Sequence, residues 1–258
     1  MSEISRKEAE AYVHELCRRA ENHPAVNHPY LQNLATGNVP DVVAALKDFA
    51  GQYYAYSSDF LRYLTATIAQ MEERKHREAL MANLVEETGQ VGEEDASELD
   101  KIGIELEWID GVAHPLLYRR FLKSLGLDDQ VLAAESVAEE TLIWREMFLD
   151  LCLRGEAAQS LGAIGLGTEN IVKFIYRPIL AAIKEHLDIS PRERVFFDLH
   201  AALDDEHGAV LTEIAVDYAE KSAKDRQELK YGMLKALSIR GAFFDAMQKR
   251  ADSMTPTD

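Results

Sequence analysis

The sequence predicts an all-α protein, and three observations predict it. Apolar residues recur at helical spacing along nearly the whole chain. The alternating β-branched runs bounded by turn pairs that mark strands are missing. Seven prolines and a few glycine clusters act as punctuation along the chain. In order, helices are expected near residues 5–21, 40–68, 70–90, 93–110, 115–125, 130–153, 166–187, 191–220 and 225–252. The second carries the aromatic pair Tyr53-Tyr54, and the third places Leu80, Leu84, Glu87 and Val91 on one face. The fourth opens at the acidic patch Gly92-Glu93-Glu94-Asp95 and is read as an inserted helix spanning 92–110. The fifth follows Pro115, and the seventh is expected to bend at Pro178. The firmest start signal is Ser190-Pro191-Arg192-Glu193, where Ser caps, Pro takes the first helical position and Glu closes a capping box. Gaps between helices are short and no internal repeat occurs, so residues 1–258 are read as a single domain with a disordered polar tail at 253–258.

Composition narrows the function. In 258 residues, 28 Lys and Arg stand against 45 Asp and Glu, a net charge of -17, which repels phosphate backbones and anionic membranes alike. Nucleic acid and membrane are therefore not expected partners. Cys17 and Cys152 have no nearby cysteine partner, which leaves neither a disulfide framework nor a thiolate zinc site. The first residues lack the apolar stretch of a signal peptide, so a cytoplasmic location is expected.

The chemistry-bearing constellation lies in the helix opened at Ser190, where His200, Asp204 and His207 follow one another. At about 100° per residue, Asp204 lies roughly 40° and His207 roughly 20° from His200, so all three project from one stripe. Phe196, Leu203, Leu211 and Ile214 share that stripe, which makes it the core face, while Asp198 and Asp205 fall on the far side. Two imidazoles and a carboxylate buried there cost several kcal/mol unless a cation or a complete hydrogen-bond network compensates them. A metal does so; a buried His-Asp pair beside a core histidine is the alternative.

A single helix cannot complete a coordination sphere, and three further residues face inward. Glu87 lies on the face of Leu80 and Leu84, with Glu86 pointing the opposite way. His114 shares a stripe with Leu117, Tyr118, Phe121 and Leu125. Glu169 shares one with Val172, Tyr176, Leu180 and Ile183. Three carboxylates and three imidazoles suit iron or manganese better than magnesium, which prefers oxygen alone, or structural zinc, which prefers sulfur. Six ligands accommodate two metals.

These residues carry a family resemblance. Asn83-Leu-Val-Glu-Glu87-Thr-Gly89, His114-Pro-Leu-Leu-Tyr118, Glu169 and His200-x3-Asp204-x2-His207 resemble the haem-oxygenase-like dinuclear iron oxidases, a group that includes N-oxygenases, alkene-forming fatty-acid decarboxylases and the chlamydial protein associating with death domains. The similarity covers roughly residues 25–215, including Asn27-His28-Pro29-Tyr30. It implies a haem-oxygenase-like helical bundle without haem and a cofactor of two irons (Fe2+/Fe3+), with manganese an option in one site. The implied ligands are Glu87, His114, Glu169, His200, Asp204 and His207. In several relatives the first Glu and His sit a turn or two apart, whereas here 27 positions separate Glu87 from His114. N-oxygenase members share such a long separation and have an extra glutamate ligand before the His. Glu107 is the local candidate for it, with an ordinary surface acid beside Trp108 as the alternative. Gly111 and Pro115 are expected to disfavour regular helix at His114.

The resemblance thus implies an iron-dependent oxidoreductase that uses O2 on a small metabolite, in a biosynthetic setting. N-oxygenation of an amine or amino-acid-derived substrate stands ahead of oxidative carbon-carbon cleavage or desaturation of an acid, and a non-enzymatic iron-binding or interaction protein is the rival from another class. A homodimer is compatible with the sequence. A ferritin-like store needs two Glu-x-x-His pairs, and the one present, Glu73-Arg-Lys-His76, reads as a solvated salt-bridging face. Tyr53, Tyr54, Phe60, Trp144, Phe148 and Tyr176 are candidates to line a pocket, and Arg177 to clamp a carboxylate, against the plainer readings of core and surface salt bridge.

Overall fold

Ser5 starts the first helix by a capping box, its backbone N–H donating to Glu8 Oε2 at 2.9 Å. The computed structural model describes residues 3–127 and 136–255, with the side chains of residues 93–95, 98 and 203–207 outside that description. Twelve α-helices follow one another among the described residues: α1 Arg6–Glu21, α2 Pro29–Ala35, α3 Val42–Ser57, α4 Phe60–Gln70, α5 Arg74–Glu87, α6 Glu93–Lys101, α7 His114–Ser124, α8 Glu139–Arg154, α9 Ala157–Leu161, α10 Asn170–His186, α11 Pro191–Lys221 and α12 Ala223–Asp252. A 3-10 turn, Leu106–Trp108, lies between α6 and α7, and a π-helix, Gly162–Glu169, joins α9 to α10. No strand occurs among the described residues, and the all-α expectation holds.

Local chemistry explains where the elements depart from their expected bounds. The Asn27-His28-Pro29 segment makes a helix the periodicity missed: His28 Nδ1 accepts from Tyr30 N–H at 3.2 Å and Pro29 sits where its absent N–H is not needed. The long second helix breaks at Ser58-Asp59, whose small polar side chains favour caps over helix interiors. The expected inserted helix is two pieces, α6 and the 3-10 turn, parted at Gly103, which has φ +79°. His114 is not irregular as expected. It opens α7, with Ala113 as N-cap and Pro115 in the first turn. The start expected near 130 lies outside the described residues, and α8 begins at Glu139. The expected capping box at Ser190 is present, its N–H donating to Glu193 Oε2 at 2.7 Å. Of the polar tail, Met254 packs against the core, and 256–258 lie outside the described residues.

The core is aromatic at its centre. Tyr56 stacks on Trp144 at 3.7 Å, and Tyr53 meets Tyr118, Trp144, Tyr176 and Phe243 at centroid distances of 5.7–6.3 Å. Around it α11 packs against α1, α5, α7 and α10, while α12 lies along α8, α9 and the π-helix. That last contact is close because side chains are absent on both sides. A Cβ at Gly162 would overlap the Leu229 carbonyl, and one at Gly232 would overlap the Gln159 carbonyl. The π-helix is therefore wedged against α12 with all eight of its residues buried.

Candidate metal centre

Glu87 stands at the last position of α5 and His114 at the first of α7, so the excursion through 88–113 must return to its starting point. It does so by a backbone latch. Gly111 N–H donates to the Gly89 carbonyl at 2.8 Å, and Gly89, at φ +101°, lies where a Cβ would meet the backbone of Val112 at 2.5 Å. The 27-position separation is thereby spanned, and His114 Nδ1 comes to 2.9 Å from Glu87 Oε2. By hydrogen-bond geometry this buried nitrogen has no partner. Two lone-pair donors converging in this way suit a shared cation better than a donor-acceptor pair.

His200 enters from α11. Its ring lies 4.7 Å from that of His114, edge to face. Its Nδ1 donates to the Phe196 carbonyl at 2.7 Å, one turn back. That bond fixes the tautomer and leaves the Nε2 lone pair for a metal. Glu87, His114 and His200 each offer an atom within 4.8 Å of the others. Donors about 2.0–2.2 Å from one ion stand roughly 3–4 Å apart, so a modest inward adjustment closes the set on a metal.

Glu169, at the end of the π-helix, lines the same cavity. Glu87 and Glu169 are both buried, at 4% and 7% exposure, whereas Glu86 is half-buried. The rest of the wall is Tyr53, Tyr56, Ser57, Phe60, Pro115, Thr168, Val172, Tyr176 and Phe196. Four of the six expected ligands therefore meet at one cavity. Asp204 and His207 lie on the described backbone of α11, but their side chains are outside the described residues. Glu107 is exposed on the 3-10 turn and does not line the cavity.

Of the aromatic candidates, Tyr53, Phe60 and Tyr176 line the cavity. Trp144 and Phe148 are fully buried behind it, and Tyr54 stacks on Tyr118 instead. Arg177 is exposed over Phe174 and clamps nothing in the cavity. Sequence reasoning missed Ser57 and Thr168 at the wall; small hydroxyls carry no periodic signal that separates them from helix interior.

A second cluster, Glu73, His76 and Asp217, also brings metal-type donors together. The solvated reading of this face is half right: His76 is 2% exposed and its Nε2 meets Asp217 Oδ2 at 2.8 Å. Lys75 and Arg6 both pair with Asp217, and Lys221 pairs with Glu73. Cations already occupy the place a metal would take, and the cluster staples α1, α5 and α11. Partial burial pushes the Asp217 carboxyl up, but hydrogen bonds from Lys75, His76 and Arg6 outweigh it and hold it well below the usual carboxylate range. A depressed folded pKa contributes stability that is complete above the unfolded value of about 3.9 and is lost progressively as the pH falls from there through the much lower folded value. Asp217→Asn is expected to cost about 2–3 kcal/mol at pH 7, most of it still present near pH 3 and clearly less near pH 2, read by urea unfolding at pH 7 and at about pH 2. A loss of equal size at both would remove the staple as an electrostatic feature.

A family model described as iron-containing redox enzyme matches residues 47–241. The 4-aminobenzoate synthase of Chlamydia pneumoniae is 23% identical over 199 residues, 77% of this chain and 79% of that protein. Three solved structures share the fold. A CADD-like protein of unknown function from Nostoc punctiforme aligns at a TM-score of 0.74 and 16% identity, over 96% of this chain and 100% of the other. A TenA homologue from Pseudomonas syringae aligns at 0.70 and 14%, over 96% and 99%. A domain with a heme oxygenase-like fold from Shewanella denitrificans aligns at 0.68 and 18%, over the whole of both chains. No helix among the described residues is long and apolar enough to cross a membrane. With the family model spanning most of the chain and the all-α architecture matching, the protein belongs to the iron-containing redox enzymes of haem-oxygenase-like fold.

Proposed function

We propose that this chain is a non-haem dinuclear iron oxidase or oxygenase that activates dioxygen to oxidise a small metabolite. The observation that carries the reading is the convergence of Glu87, His114 and His200 on one buried point, with Glu169 on the same cavity. Buried carboxylates beside imidazoles suit bare metal ions; a haem asks for an axial ligand and a larger apolar slot. Two ferrous ions held by these residues, with Asp204 and His207 completing the set, would supply the electrons that reduce dioxygen. Manganese in one of the sites is compatible with the same donors.

The chain's own residues do the rest. His200, oriented by the Phe196 carbonyl, presents one nitrogen to the cavity. Phe60, Pro115, Val172 and Phe196 keep water from its apolar side, while the hydroxyls of Tyr53, Tyr56, Ser57 and Tyr176 offer polar contacts to a substrate. Among substrates, N-oxygenation of an amine or amino-acid-derived compound stands ahead of oxidative carbon-carbon cleavage or desaturation of an acid. The long Glu87–His114 separation leans that way.

The test is to load the protein anaerobically with ferrous iron, then add oxygen with a panel of amines and of fatty acids, following absorbance and product mass. Oxidised organic product in a fixed ratio to oxygen consumed is expected. Iron oxidised to a mineral with no organic product would replace the enzyme reading with an iron-binding one.

A further inference from the structure

Arg240 stands on α12 with no solvent exposure, beneath the wall of the cavity. Its guanidinium is held by hydroxyls and rings. Nη2 donates to Thr168 Oγ1 at 3.2 Å and makes a long contact of 3.5 Å to the Tyr56 hydroxyl. The guanidinium carbon lies 5.1 Å from the Trp144 ring and 5.5 Å from that of Tyr56. Nε and Nη1 have no hydrogen-bond partner. An arginine stays charged wherever it is placed, and burying it costs several kcal/mol that ring faces and hydroxyls only partly offset. An apolar side chain would fill this core at no such cost.

The contacts of the guanidinium lead to two of the candidate ligands by separate routes. Thr168 accepts from Arg240 and donates to the Ala163 carbonyl at 3.1 Å, so its hydroxyl bridges α12 to the interior of the π-helix, one residue before Glu169. The guanidinium also faces the Tyr53 hydroxyl, which is 2.9 Å from the hydroxyl of Tyr176. The Tyr176 ring in turn meets the His200 ring edge to face at 5.7 Å. We propose that Arg240 is a positioning residue for the metal centre, fixing Glu169 through Thr168 and the π-helix, and His200 through Tyr53 and Tyr176. This inference rests on the metal-centre reading above. Partners behind metal ligands set ligand orientation, and their loss weakens metal binding about tenfold to a hundredfold.

The experiment is an anaerobic competition for ferrous iron between a chromogenic chelator and the full-length protein, comparing wild type with Arg240→Met, Arg240→Lys and Thr168→Val. Arg240→Met is expected to weaken iron binding about tenfold to a hundredfold. Arg240→Lys, which keeps the charge and a donor, is expected to recover most of that loss. Thr168→Val is expected to weaken binding by itself, and the Arg240→Met/Thr168→Val pair to be weaker than Arg240→Met alone by less than the single effect of Thr168→Val. A merely space-filling arginine would show no coupling with Thr168 and no rescue by lysine. Iron affinity unchanged in Arg240→Met, or fully additive losses in the pair, overturns the inference. Should Arg240→Met fail to fold, Thr168→Val decides, and iron affinity unchanged in it overturns the inference. A wild-type protein that itself takes up no iron would overturn the metal-centre reading and this inference with it, a result distinct from wild-type uptake that the variants leave unaltered.

Discussion

Glu87→Ala and His200→Ala are each expected to lower ferrous iron affinity by more than about a hundredfold, beyond what loss of a partner behind a ligand produces, and to abolish oxygen consumption. Glu87 is buried at the end of α5 with its Oε2 2.9 Å from His114 Nδ1, so its loss removes a desolvated anionic donor from the centre. In the iron-free protein the melting temperature of Glu87→Ala is expected to stay close to that of wild type. Wild type, by contrast, gains stability on adding iron, because a ligand that binds only the folded state stabilises it by mass action. The variant is expected to show no such gain. A Glu87→Ala protein that melts lower without iron and still gains stability with it would mean that the carboxylate serves the fold rather than a metal.

The second large effect is on the fold. Gly232→Val on α12 is expected to destabilise by more than about 4 kcal/mol, a drop of roughly 8–16 °C in melting temperature for a chain of this size. Its added Cβ would overlap the Gln159 carbonyl and crowd the Ala163 N–H, and backbone on both sides of the contact leaves nothing flexible to move aside. Gly162, facing the Leu229 carbonyl from the π-helix, is expected to behave alike. Because the wedge also sets where Glu169 points, whatever variant protein folds is expected to bind iron less tightly. A Gly232→Val protein with wild-type melting would show that α12 and the π-helix can part without loss. A tertiary arrangement resting on their contact would then be wrong.

Helix faces were legible wherever an apolar stripe ran long enough. The choice of Glu87 over Glu86 needed only the positions of Leu80 and Leu84, and the stripes through His114 and Glu169 correctly put both residues on the inside. The Ser190 start needed only its four-residue signature. What stayed hidden was set by tertiary contact. The π-helix is built from the glycine-rich run Gly162–Gly167, which reads locally as a break; it persists because α12 presses on it where side chains are missing. Arg240 resembles any exposed cation on a long helix, and only the convergence of Tyr53, Tyr56, Trp144 and Thr168 makes it a buried one. The return of the chain from Glu87 to His114 depends on a backbone bond between Gly111 and Gly89, which side-chain periodicity cannot register. His76 read as solvent-facing because its neighbours are charged; its partner Asp217 lies 141 residues away.

The most direct test is anomalous diffraction at the iron edge from crystals soaked anaerobically in ferrous salt. Two iron peaks about 3.5–4 Å apart are expected inside the cavity, with Glu87, His114, Glu169 and His200 among their ligands and Asp204 and His207 reaching them from α11. An empty cavity in fully soaked crystals, or iron bound only at the Glu73–His76–Asp217 cluster, would contradict the account.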